Sequence, residues 1–232
     1  MRALWACVPV LLASFPGAAA DSAAAPANAW RGDYTTRVEA LALLQSLNAD
    51  LLSHSSATLT LDRWCDTHRL ASPAKIVAER VRNVDKAPTE EQRQALGVSA
   101  TEPVRYRRVR LRCGEHVLSE AENWYVPARL TADMNRSLET SDIAFGRAVQ
   151  DLKFRRQTLS ATLLWSPLPE GWEMAPPARV ESSKSLHVPP EVLQHRAVLT
   201  LPDGTPFSQV IETYTSEVLA FPEPPHPQPA KP

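Results

Sequence analysis

Val104-Arg-Tyr-Arg-Arg-Val-Arg-Leu-Arg-Cys113 alternates with a period of two, and this stretch decides the fold. Arg107, Val109, Leu111 and Cys113 fall on one face; Tyr106, Arg108, Arg110 and Arg112 fall on the other. That is a strand with one side toward a core and one toward water. Gly114-Glu115-His116 makes a turn, Val117 to Val126 returns, and Pro127 ends the hairpin. A second hairpin runs from Gln194 to Leu201 and from Pro206 to Leu219, around Asp203-Gly204, a strong hairpin signal. Phe154 to Trp165 and Lys75 to Val84 add further strands. Helical spacing marks Val38 to Leu52 and Thr131 to Leu138, while Ala57 to Arg69 suits either helix or strand. Thr89 with Gln92 is a capping-box spacing, so a short helix is expected over Glu90 to Leu96, ended by Gly97. Gly171 to Pro190 is loop-like. Strands joined by turns, with few long helices, predict an α+β fold with an antiparallel sheet and helices packed on one face.

The ends read differently from the middle. Met1-Arg2, an apolar run from Ala3 to Ser14 and the small residues Ala18-Ala19-Ala20 follow the order of a secretion leader cut before Asp21. The expected division is a signal peptide over 1–20, an Ala-rich linker over 21–32, one domain over 33–221 and a Pro-rich disordered tail over 222–232. A leader implies a periplasmic or secreted protein with no stable membrane span after cleavage. With 44% hydrophobic and 22% charged residues the middle is globular. A formal charge of −1 argues against a dedicated nucleic-acid binder. Cleavage of the leader leaves Cys65 and Cys113, which allow one disulfide in an oxidising compartment; two separate buried thiols are the alternative.

Phosphate-cradling glycine loops, a nucleophile elbow and paired metal-ligand spacings do not occur in this sequence. The six histidines are therefore read as surface or turn residues, and no cofactor or metal is expected. Arg110 and Arg112 have Glu115, Glu120 and Glu122 across the hairpin to pair with. Arg107 shares its face with apolar residues and needs a carboxylate or an anionic ligand. Glu212, between Ile211 and Thr213, poses the mirror problem. The two either line a common pocket, form a structural ion pair, or face solvent.

Three stretches resemble the chorismate pyruvate-lyase family and its relatives, which include ligand-binding domains of some bacterial regulators. Tyr106 to Cys113, with the return strand ending Tyr125-Val126-Pro127, is similar to the family's first central hairpin. Ile143-Ala-Phe-Gly-Arg147 is similar to its Pro-Leu-Gly-Arg segment, and Pro206 to Glu212 to its C-terminal strand. Ser56-Ala57-Thr58 is similar to an early Ser-Met-Thr. The resemblance covers about residues 38–219. It implies a six-stranded antiparallel sheet with a buried cavity, and elimination of pyruvate from chorismate to leave 4-hydroxybenzoate without metal or cofactor. Counting back from the cysteine, it places the family's arginine at Arg108, whereas strand alternation puts Arg107 inward. Arg108 and Glu212 are then the expected catalytic pair, with Arg107, Phe145, Gly146 and Ala57 contacting substrate.

The expectation from sequence is an exported chorismate-lyase-like monomer acting on a small aromatic or enolpyruvyl carboxylate, with no nucleic acid as partner. A binding protein of the same fold without catalysis is the alternative. A structural envelope protein docked through its Pro-rich tail is a third reading.

Overall fold

The computed structural model describes residues 30–174 and 185–226. The leader expected over residues 1–20 and most of the linker lie outside the described residues, as does the end of the tail.

The core is one six-stranded antiparallel sheet in the order β1-β2-β3-β6-β5-β4. Its strands are β1 (Ile76–Val81), β2 (Arg105–Cys113), β3 (His116–Tyr125), β4 (Arg155–Leu163), β5 (Glu191–Thr200) and β6 (Pro206–Thr215). Both expected hairpins are present, β2–β3 around Gly114 and β5–β6 around Gly204, and both glycines have positive φ. Alternation along β2 is realised in the structure. Arg107, Val109, Leu111 and Cys113 are buried, and the intervening residues are half-buried.

The helices are α1 (Tyr34–Ser53), α2 (Ala57–Thr67), α3 (Glu90–Leu96), α4 (Ala132–Thr140) and the single turn α5 (Phe145–Ala148). In α1 the buried residues Thr36, Ala40, Leu44, Leu47 and Leu51 recur every three to four positions, so one stripe faces the sheet. Asp33 caps its first turn by accepting from the Thr36 amide. Ala57 to Thr67, open to either assignment in the sequence, is helical because Ser56 caps it and Thr60, Leu61, Trp64 and Cys65 fall on one buried side. Helices α1 and α2 pack on the inner face of the sheet in one apolar cluster, and α4 and α5 pack on the same face in another. Helix α3 has the expected capping box and the left-handed Gly97. It covers part of the outer face, where Leu96 meets Trp124, Val126 and Ile211.

Cys65 on α2 and Cys113 at the end of β2 form a disulfide, which resolves the alternative left open by the sequence. The two ends of the described chain meet beside it. Trp30 Nε1 donates to the Phe221 carbonyl at 2.7 Å, and Arg31 donates through its backbone and guanidinium to Glu223. Residues on both sides of the expected domain limits at 33 and 221 thus pack against the folded unit. No helix among the described residues is long and apolar enough to cross a membrane.

Candidate functional site

On the inner face the sheet and helices enclose a cavity of about 30 Å³. Its floor is Val109 and Leu111 of β2, Ala121 and Asn123 of β3, and Val210 and Glu212 of β6. Phe145 and Gly146 of α5 close one side, Phe154 and Arg156 another, and Ser55 to Thr58 form the lip between α1 and α2. Register explains why these floor residues converge. Glu212 lies directly opposite Ala121 on one neighbour and His195 on the other, and cross-strand partners share a face.

Glu212 is buried and its partner is Arg156, whose terminal nitrogen donates to Oε2 at 2.5 Å; side-chain exposures are 4% for the arginine and 9% for the glutamate. Tyr214 donates to the same oxygen at 3.3 Å. Burial is the largest influence on the Arg156 guanidinium and pushes it down, but the Glu212 charge, Tyr214 and the hydrogen bond to Glu212 together outweigh it and the net displacement is upward. Burial raises the Tyr214 hydroxyl well above its usual range, and the Glu212 charge adds to this. The Nε of Arg156 is sealed from solvent and finds no hydrogen-bond partner among the described residues.

His195, next to Glu212 on β5, is fully buried, which corrects its reading as a surface or turn residue. Its Nε2 meets Asn48 Oδ1 at 2.8 Å, so the proton sits on Nε2 and Nδ1 is left without a partner. Burial pulls its pKa from 6.5 down to about 4, against the Glu212 charge and with that of Arg156. The unfolded chain therefore binds the extra proton between pH 6.5 and 4, and stability falls as pH drops through that window. Across it the expected loss is on the order of 3 kcal/mol. Urea midpoints of wild type and His195→Gln at pH 7 and pH 4.5 check this. The wild type should lose more than the variant, and equal losses would contradict it.

The structure brings together four of the six residues singled out from sequence: Ala57, Phe145, Gly146 and Glu212 all line the cavity. A Cβ at Gly146 would lie 2.8 Å from the Ser56 hydroxyl, so a larger residue there requires that side chain to turn away. Arg147 holds that turn in place by hydrogen bonding to Asp62 of α2 and to the Ile76 carbonyl.

Two residues are corrected. Arg108 lies on the outer face and pairs with Glu120 at 2.5 Å, with its side chain 39% exposed. Alternation keeps it from the cavity, and counting back from Cys113 selected the wrong arginine. Arg107 does face inward, yet it is spent elsewhere. It donates to the carbonyls of Leu138, Ser141 and Ile143, at and just beyond the last turn of α4, where a cation suits the helix end. Burial, then the nearby Arg80 charge, lowers its pKa to about 10. The arginine that lines the cavity, not singled out from the sequence, is Arg156.

Of the described residues, Glu39, Glu223 and His226 bring ligand atoms within 4.8 Å of one another. Glu223 is already held by Arg31 and Thr36. Burial pushes its carboxyl up, but these hydrogen bonds hold it down at about 2. A guanidinium in contact with the same carboxylate opposes a metal cation, and the group is an ion-paired clasp.

No family model matches the chain. Over 196 residues it is 60% identical to the uncharacterized protein y4mC of Sinorhizobium fredii (strain NBRC 101917 / NGR234), covering 84% of this chain and 83% of that one. The chain belongs to the y4mC family. Among solved structures, this y4mC relative is similar to the effector domain of PhnF from Mycobacterium smegmatis. Identity there is 12% and the TM-score 0.45, covering 70% of this chain and 90% of that one. It is also similar to a possible transcriptional regulator, YydK, from Bacillus subtilis, at 15% identity and TM-score 0.38; 63% of this chain spans 61% of that chain's length. A GntR-family transcriptional regulator from Enterococcus faecalis V583 is similar at 11% identity and TM-score 0.38, covering 60% of this chain and 93% of that one.

The expectation of an exported chorismate lyase is corrected. These similar structures are transcriptional regulators and an effector domain, and the arginine and glutamate assigned to elimination, Arg108 and Glu212, sit on opposite faces of the sheet. The comparisons give a signal peptide or a periplasmic location no support. The expectation that nucleic acid is no partner also finds none.

Proposed function

We propose that this y4mC family member is a small-molecule-binding domain whose site is the cavity around Arg156 and Glu212. The observation that carries the reading is the Arg156 guanidinium, almost fully buried on the cavity wall, with Nε left unsatisfied. A buried donor without a partner costs about 1–3 kcal/mol, and such a group is retained where something else satisfies it. The cavity has the makeup of a ligand site: apolar walls with a few convergent polar groups. As folded it has room for roughly two waters, whereas a cavity of about 150 Å³ takes benzene. An aromatic acid of the size first expected does not fit without movement of the walls. The lip of Ser55 and Ser56 lies between two helices at the surface, so a ligand would enter there.

Thermal-shift screening of the full chain against small polar compounds tests the proposal, with Ala57→Phe as the control that fills the cavity from α2. A compound that raises Tm in wild type and not in a folded Ala57→Phe variant supports the reading. Stabilisation that is equal in the two contradicts it.

A further inference from the structure

We infer that the ligand of this site carries no net charge and presents a hydrogen-bond acceptor and a donor side by side on a small apolar body, as a carboxamide does. The inference rests on the binding reading above and deepens it. Among the described residues, Arg156 and Glu212 are the two charged residues that line the cavity, and they neutralise each other. Beyond the lining, the same face holds His195, Tyr214 and two further guanidinium groups, Arg80 and Arg107. His195 and Tyr214 sit behind Glu212, both buried, and the burial of each disfavours its charged form. Arg80 and Arg107 lie outside the cavity lining and donate to carbonyls around the end of α4, with Nη1 of Arg107 left without a partner among the described residues.

Charge balance then decides the class. A carboxylate entering against Arg156 would either displace Glu212, leaving it buried and unpaired, or add a second negative charge to one guanidinium. An ammonium or amidinium against Glu212 would strand Arg156 in the same way. Both are the costly broken-pair situation of a dry interior. A carboxamide avoids it, since its oxygen accepts from the Arg156 guanidinium on the cavity wall while its NH₂ donates toward Glu212 or Asn123 on the cavity floor. The walls of Val109, Leu111, Ala121 and Phe145 take the apolar remainder. The present volume has room for roughly two waters, so acetamide enters with a small outward movement of the walls.

Acetamide, acetate and acetamidinium are isosteres that differ in charge, so titrating each into the isotope-labelled full chain tests the inference. The readout is the amide resonances of Ala121, Asn123 and Phe145, with those of the outer face as reference. In wild type, acetamide should bind about tenfold or more tighter than either ion. In Glu212→Gln the site gains a positive charge and acetate should become the tightest. Should that variant not fold, the wild-type ordering decides alone. Acetate or acetamidinium binding tightest to wild type, at these resonances, would overturn the neutral class while leaving the site a binding site. No perturbation of the cavity resonances by any of the three would overturn both.

Discussion

Arg156→Leu is expected to destabilise the fold by about 3–5 kcal/mol, the usual cost of leaving one member of a buried pair without its partner. The leucine keeps most of the apolar stem, so the loss isolates the charge. Glu212, with its side chain 9% exposed, retains the Tyr214 hydroxyl at 3.3 Å and no cation. Arg156→Leu/Glu212→Leu should recover most of this, because two apolar side chains in place of a buried pair are commonly neutral or better. Urea denaturation of the two variants and wild type at pH 7 measures both effects. A single variant within about 1 kcal/mol of wild type would show the pair to be solvated in solution, as exposed pairs are.

Removing the disulfide is the second large effect. Cys65 and Cys113 are 48 residues apart, both fully buried. Loop closure over that separation corresponds to about 4 kcal/mol lost from the fold in Cys65→Ala/Cys113→Ala. The bond also ties α2, which carries Ala57 and Thr58 at the cavity lip, to the far end of the floor strand β2. The variant should therefore bind more weakly any compound that stabilises wild type through the cavity. Denaturant midpoints of oxidised wild type and the double variant check the stability change. A difference below about 1 kcal/mol would mean that the two sulfurs are not bonded in the protein as made.

Much of the scaffold was legible because local chemistry and tertiary packing agree along it. Alternation in β2, the Asp203-Gly204 turn and the Thr89/Gln92/Gly97 signals each name an element without reference to the rest of the chain, and each is present. The site was legible in part. Glu212, Phe145, Gly146 and Ala57 converge on the cavity, but the arginine did not follow from the same rules. Arg156 lies on an edge strand whose register slips between Thr158 and Ser160, so no clean inner face runs along it. The sequence marks Phe154 to Trp165 as a strand without assigning its faces, and the burial of the Arg156 side chain comes from reaching across β5 to Glu212. Arg107 shows the converse. Alternation correctly placed it inward, while the carbonyls that occupy it come from residues more than thirty positions away, a pairing that spacing does not encode. His195 was hidden because an isolated histidine has no periodic signature; its burial follows from lying between Glu212 and the α1 residue Asn48.

The most direct test of the central claim is a crystal structure of the full chain soaked with acetamide. The expected result is density for the amide inside the cavity, its oxygen within about 3 Å of the Arg156 guanidinium, with the Arg156–Glu212 pair intact. A cavity filled only by water at the same concentration, or by Leu and Phe side chains collapsed onto Arg156, would contradict it.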